Sequence, residues 1–312
     1  MHFSEKNKDS TRLMWLTTYV LVSVNYATIL YSLISRRSRD CELERIGEVI
    51  TQVWLGILKK QRVYCQHMDR YFGYLFYAKF ATVFYLCISN WIHAVIMAME
   101  YKWWILPGLL FYMNALNLII TTTFGYYLAL WHIARAFYFV NNELTDLSQR
   151  TGVNKPTSKD VEHLRHLRAL HAVLTRTSLR INQVYSFQML ASRFDYVVTS
   201  IINTYLGLLF TFSFDTPAYL IAFGLSIHVA RTLDFYLLDL MCDLVLQYQQ
   251  WPRHELTECR WFRELNDFVI YASSSKINLW VCGLFQANQK LWFKMMCSIT
   301  AYSIVLMQFH IY

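Results

Sequence analysis

The chain has 312 residues, 55% of them hydrophobic and 17% aromatic, against only 16% charged. Soluble globular domains carry roughly 25% charged residues, so this chain has too little charge to clothe a water-exposed surface of its size. With nine Gly and four Pro it is also poor in turns, which excludes a turn-rich β-barrel, a disordered chain and a secreted disulfide scaffold and leaves an all-α polytopic membrane bundle.

A helix that crosses the hydrocarbon layer needs about 20 predominantly apolar residues. Six stretches meet this need, at about 13–35, 75–99, 107–134, 194–214, 216–236 and 292–312. The first follows Lys6, Lys8 and Arg12 but is longer than a signal-peptide core and lacks a clear cleavage site, so it reads as an anchor. A seventh uncharged window, 277–289, is too short to cross and is expected to lie at the interface or against the bundle. The whole chain is expected to form one domain, 1–312.

Lys and Arg sort by side. Twenty lie in the connections 36–70, 140–186 and 247–290, against four (Lys6, Lys8, Arg12 and Lys102) on the other side. The positive-inside rule makes the first set cytoplasmic, places the C-terminus outside, and explains the net charge of +8 without a nucleic-acid partner. The cytoplasmic segments are then about 36–72, 138–188 and 238–290. In 159–190, Val161, Leu164, Leu167, Leu170 and Leu174 recur every three or four residues, an amphipathic helix expected to run into the fourth span. Such protruding helices can form a cytoplasmic anchor region. Residues 150–159 (RTGVNKPTSK) are the expected loop. The seven Cys avoid the short outer loops, so no disulfide framework is expected.

Candidate chemistry is sparse. His163, His166 and His171 cluster, but a di-metal enzyme needs several such groups and the other histidines are scattered, so neither a metal nor any other cofactor is expected. Ionisable residues near the spans are Lys79, Arg135, Arg193, Asp195, Arg231 and Lys294. Arg231 and Asp234 could serve a transporter; alternatively Arg193 with Asp195, and Arg231 with Asp234, neutralise each other locally. No nucleophile elbow or phosphate loop is present, so the chain is not expected to be an enzyme. Trp91, Trp103, Trp104, Tyr101 and Tyr112 crowd the outer ends of the second and third spans. They form either an interfacial belt or the aromatic wall of an outward-facing pocket, with Trp91, Trp104 and Tyr112 the candidate ligand contacts.

Residues 282–312 read CGLFQANQKLWFKMMCSITAYSIVLMQFHIY. Tyr302, five small or apolar residues, then Gln308-Phe309 resembles the C-terminal signature of insect gustatory receptors, and Gly283-x-Phe285 with Asn288 resembles the stretch that precedes it. INQVYSFQML (181–190) looks like the family's approach to the helix after its second cytoplasmic loop. The family's usual Thr before the Tyr is Ala301 here, with Thr300 one place earlier. The family has seven spans and a cytoplasmic N-terminus, so the helix absent from the count of six is expected to be the first.

The resemblance implies a multi-pass plasma-membrane receptor of gustatory neurons. It also implies a ligand-gated cation channel for small-molecule tastants such as bitter compounds, built as a homo- or heterotetramer whose last helices line the pore. At 100° per residue Phe309 lies about 20° from Tyr302, Ser298 and Val305 fall within about 60°, and Gln308 sits about 120° away. Ser298, Tyr302, Val305 and Phe309 thus share a stripe with Gln308 at its edge. The stripe either lines a pore that a ring of Phe309 closes by dewetting or packs against neighbouring helices. The resemblance itself places the gate at Gln308-Phe309.

Overall fold

The computed structural model describes residues 19–20, 23–34, 36–60, 66–100, 104, 106–153, 157–213, 217–255 and 263–311. Those residues are almost wholly helical. A first helix, α1, occupies 23–34. It is followed by α2 (Arg36–Lys60), α3 (Gln66–Glu100), α4 (Leu106–Val153), α5 (Ser158–Ser213), α6 (Ala218–Glu255), α7 (Arg263–Ser274), strands β1 (Trp280–Val281) and β2 (Phe285–Gln286), and α8 (Gln289–Ile311). The all-α multi-span fold expected from composition is the fold observed. By length and apolar content, Arg70–Ile96, Leu106–Arg150, Ala218–Trp251 and Gln289–Gln308 could each cross a membrane among the described residues. They contain or overlap four of the six expected spans. The stretch 13–35 lies partly outside the described residues, and 194–214 falls at the end of α5.

Helix α4 is the central post, packed on α3, α5 and α6. Its C-terminal half carries the core: Tyr126, Tyr127, Leu130, Phe137, Val140 and Leu144 are fully buried, against Phe72 of α3, Leu167 and Ile181 of α5, and Leu238 and Val245 of α6. The spanning portions pack less. Only 33% of the apolar window of α3 is buried, and 11% of that of α8. Phe80, Phe84, Leu225 and Val229 instead point outward, as side chains facing lipid do.

Helix α5 runs unbroken from the amphipathic segment through residues 194–213. It starts with a capping box: the Asp160 N–H donates to Thr157 Oγ1 (3.3 Å) and the Thr157 N–H to Asp160 Oδ2 (2.8 Å). The Thr157 hydroxyl, which donates to Asp160 Oδ2 at 2.6 Å, and then the Thr157 N–H hold the Asp160 pKa below its ordinary value. The expected loop 150–159 is shorter than the sequence suggested, because α4 continues through Gly152 to Val153. One Gly in a long helix costs only about 1 kcal/mol, which the packed length of α4 offsets.

Helix α2 was not read from the sequence. Its buried stripe is Leu43, Ile46, Ile50, Val53 and Trp54, a helical spacing interrupted by charge. Trp54 also covers Arg135, whose guanidinium lies 4.6 Å from the Trp54 ring and 5.5 Å from Trp131.

The window 277–289 is buried against the bundle, as a hairpin. Ile277, Leu279, Val281 and Ala287 are fully buried, and the Asn182 side chain donates to the Trp280 carbonyl at 2.7 Å. The Leu284 N–H donates to the Val281 carbonyl (3.0 Å), closing a turn with Cys282 (φ 49) and Gly283 (φ 71) both left-handed. A side chain at Gly283 would meet open space, so Gly283→Val isolates backbone strain. It should cost about 1–2 kcal/mol, read as a lowered melting temperature of the purified chain in detergent.

His171 is buried among Phe137, Phe268 and Tyr271, with Nε2 3.2 Å from the Gln249 carbonyl. Burial lowers its pKa from 6.5 to about 4, the bond to Gln249 opposing. The unfolded imidazole takes up a proton near 6.5 while the folded one resists. Its contribution is therefore complete above pH 6.5, is lost as pH falls toward 4, and amounts to about 3 kcal/mol. The melting temperature of His171→Phe should fall less steeply than that of the native chain between pH 6.5 and 4.

Candidate functional site: the terminal helix and the charge ladder beneath it

Helix α8 begins on two caps. Asn288 Oδ1 accepts from the Leu291 N–H (2.8 Å), and Asp243 of α6 accepts from the Gln289 N–H (2.9 Å). The hydroxyls of Thr300 and Ser303 are satisfied inside the helix, on the carbonyls of Met296 and Ile299. Among the described residues one face is covered by the chain: Ile299 and Ser303 are each 2% exposed, and Trp292, Met295 and Met296 pack on the bundle along the same side.

The candidate pore residues lie off that face. Tyr302 is 61% and Val305 42% exposed, and Ser298 and Gln308 are exposed too. Phe309 belongs to α8, but its side chain lies outside the described residues. Phe293 and Ile304 are exposed as well, so the uncovered arc is wider than one stripe and has room for both lipid and other chains.

Three ion pairs lie under α8 and across the bundle. Arg193 of α5 forms a two-pronged pair with Asp239 of α6 (Nη1–Oδ2 3.0 Å). Arg231 of α6 pairs with Asp195 of α5, which also accepts from Asn25 of α1 at 2.9 Å. Lys79 of α3 pairs with Asp234 of α6 at 2.6 Å and donates to its backbone carbonyl at 2.9 Å. These pairings replace the local ones expected from sequence. Arg193 does not pair with Asp195, nor Arg231 with Asp234. Residues two or three apart compete with partners on facing helices, which long Arg side chains reach easily. Arg231 and Asp234 are thereby both committed to structural pairs.

Arg193 also reaches α8 and the hairpin. Nη1 lies 3.9 Å from the Met295 sulfur, and the guanidinium 5.7 Å from the Phe285 ring. Beside it, Tyr196 Oη donates to the Met296 sulfur (3.2 Å) and Trp292 packs on Tyr236 (5.1 Å). Sequence reading found these charges but not their partners, because pairing across helices leaves no periodic trace.

Trp91 is 43% and Trp104 76% exposed, and Tyr112 is half-buried. None of them lines the cleft among α3, α4, α5 and α6, whose walls are Leu86, Leu116, Ile120 and Phe235 over Asp195, Arg231 and Asp234. That cleft has a volume of about 10 Å³, room for one water. Tyr101 and Trp103 lie outside the described residues.

The three clustered histidines diverge. His163 meets Glu143 at 3.0 Å, His166 faces outward and His171 is buried. Among the described residues no cluster of three or more His, Cys, Asp or Glu could hold a metal. Cys41, Cys87, Cys242, Cys282 and Cys297 are free thiols.

The architecture is that of a multi-pass helical membrane protein, and residues 2–312 match the model of the 7tm chemosensory receptor family. The chain is 38% identical over 307 residues to gustatory receptor 59b of Drosophila erecta, a match covering 96% of this chain and 50% of that one. It is 22% identical over 196 residues to the gustatory receptor for bitter taste 22e of Drosophila melanogaster, covering 59% and 49%. The chain thus spans about half the length of the curated relatives it matches. Its fold is similar to that of the insect olfactory receptor OR5 from Machilis hrabei, with a TM-score of 0.62 at 13% identity over 94% of this chain and 79% of that one. The chain belongs to the insect gustatory receptor family, a family of receptors and not of enzymes.

Removing one partner of the Arg193–Asp239 pair strands a buried charge. Arg193→Met should destabilise the chain by about 3–5 kcal/mol, and Arg193→Met with Asp239→Leu should recover most of that loss. Thermal melting of the purified variants, compared as a double-mutant cycle, measures both.

Proposed function

We propose that the chain is one subunit of a ligand-gated cation channel that detects small-molecule tastants, bitter compounds among them, at the plasma membrane of gustatory neurons. The observation that carries this reading is the uncovered face of α8. Ser298, Tyr302, Val305 and Gln308 lie on one helix of a membrane protein and are left free by their own chain. Such a face invites other subunits. In a tetramer with like or related chains, four copies of α8 surround an axis, with Tyr302 and Val305 along the conduit and Gln308-Phe309 at the outer gate. The twenty basic residues of the three long connections support this orientation, with the C-terminus extracellular.

Ligand binding belongs to the outer halves of the spans, where Trp91, Trp104 and Tyr112 supply aromatic surface. A tastant opens the gate only by binding the open state more tightly than the closed one. The one-water cleft beside Arg231 and Asp195 is too small for a tastant, so a ligand seated there requires the helices to part. The path from that cleft to α8 is short, because α6 carries Arg231 at the cleft and Asp239 and Asp243 beneath the base of α8.

Whole-cell recording tests the gate. Phe309→Ala should produce a standing cation current without ligand, because four small side chains no longer exclude water. Unchanged closed-state conductance at normal surface expression removes Phe309 from the gate. Trp104→Ala should leave that standing current absent while raising the tastant concentration needed for half-response about tenfold, the loss of one aromatic contact.

A further inference from the structure

At the Lys/Arg-rich end of α1 lies a second cleft, which adjoins the one over the charge ladder at Ile119 and is not lined by α8. Ser32 and Leu33 of α1, Leu118 and Thr122 of α4, and Gln188 of α5 form its walls, with Arg39 from the first turn of α2 at its rim. Its volume is about 230 Å³, many times the roughly 10–15 Å³ that one water needs on the same measure. The walls are divided by polarity. Leu33 and Leu118 are 58% and 47% exposed, marking the side that opens onto the membrane, while Ser32, Gln188 and Arg39 gather at the other end.

Arg39 is the odd charge in this region. Arg45, further along α2, is held by Glu42 at 2.7 Å. Among the described residues no carboxylate pairs with Arg39. Its neighbour is the neutral amide of Gln188, which reaches Ser32 Oγ at 3.4 Å in one orientation and, turned over, accepts from Arg39 Nη1 at 3.1 Å. A guanidinium at the edge of a low-dielectric layer, with only a neutral partner, is suited to a phosphate, which its planar fork binds through two parallel hydrogen bonds. The adjoining apolar wall suits the methylenes of an acyl chain. Basic pockets between spanning helices on the cytoplasmic side hold anionic lipid headgroups by this combination.

We infer that this cleft binds an anionic phospholipid of the cytoplasmic leaflet, its phosphate on Arg39 with Gln188 and Ser32 beside it, and its upper acyl chain along Leu33 and Leu118. The choice of leaflet rests on the positive-inside orientation; the site itself does not. Inorganic phosphate satisfies Arg39 but leaves the apolar wall uncovered. A phosphatidylcholine brings a quaternary ammonium toward the same cation, so the anionic lipid is preferred.

Native mass spectrometry of the purified full chain, released from detergent with equal phosphatidylserine and phosphatidylcholine, tests this. The native chain should retain phosphatidylserine about tenfold over phosphatidylcholine, the preference that one charge-assisted contact supplies. Arg39→Gln should abolish the preference. Arg37→Gln removes the same charge from an exposed neighbour and should leave it intact. Leu118→Trp, which fills the cleft while sparing the guanidinium, should release the bound lipid, and excess inorganic phosphate should not. Equal effects of Arg37→Gln and Arg39→Gln would mean diffuse surface charge and overturn the site. Displacement by inorganic phosphate would mean a bare anion site, and retention in Leu118→Trp would place the lipid elsewhere. Either result also overturns the proposal. Channel currents play no part in the readout, so failure here leaves the receptor reading untouched.

Discussion

Charge buried among apolar helices must find an opposite charge, and that constraint organises the bundle. Lys79, Arg193, Asp195, Asp234 and Asp239 are each at most 3% exposed. An unpaired ion in such surroundings costs several kcal/mol after relaxation. The chain meets the demand across helices: α3 to α6, α5 to α6 twice, and α1 to α5 through Asn25. A one-residue slip of any of these helices would separate donors from acceptors. The net stabilisation of such pairs is small, because desolvation consumes most of the attraction, but the penalty for breaking them is large. They therefore act mainly on register, fixing how α3, α5 and α6 stand against one another.

The apolar packing has a complementary distribution. The tight core lies where α4, α5 and α6 run on beyond the α8 base, around Phe137, Leu144, Leu167 and Val245. The spanning ends of α3, α6 and α8 bury little within the chain. In water such exposure would be ruinous; in a bilayer it costs little, because lipid tails are as apolar as Leu. The ends of the spans away from that core are thus held by a few polar contacts, among them Asn90 to Asn117 at 2.8 Å and Tyr85 to Ser226 at 2.5 Å. Loose outer helices over a rigid core can separate without unfolding, as the proposed ligand response needs.

Much of this was legible in the sequence, for specific reasons. Four of the uncharged runs coincide with helices long and apolar enough to cross a membrane, and α5 can be followed from Val161 onward because its apolar positions keep a helical period. Helix α2 is not evident in the sequence because its stripe from Leu43 to Trp54 is diluted by Glu44, Arg45 and Glu48, although the helical spacing is present. The hairpin at 277–289 was recognised as too short to cross, but its strands were not seen, as two residues per strand carry no alternation. The ion-pair partners were mistaken: one-dimensional proximity favours Arg193 with Asp195, whereas geometry gives Arg193 to Asp239. Of the candidate site, a 100° period places Ser298, Tyr302, Val305 and Phe309 on one stripe of α8 but does not say which face the chain covers, and the arrangement around Trp91, Trp104 and Tyr112 depends on how helices tilt, which composition does not encode.

The stretch that carried the family resemblance divides physically in two. Its upstream residues have structural duties: Gly283 takes the left-handed turn, Phe285 faces the Arg193 guanidinium and Asn288 caps α8. Its downstream residues, Tyr302, Val305 and Gln308, touch little of their own chain. Arg193 stands at the junction, bound to Asp239 of α6 and in contact with Met295 of α8. A displacement of α6 must then either break a buried ion pair or carry α5 with it, while the Asp243 cap on the Gln289 N–H ties the base of α8 to α6. Because breaking the pair strands a charge, moving the helix is the cheaper course. The contacts that join this charge-locked bundle to α8 are the Asp243 cap at Gln289 and the Arg193 guanidinium against Met295.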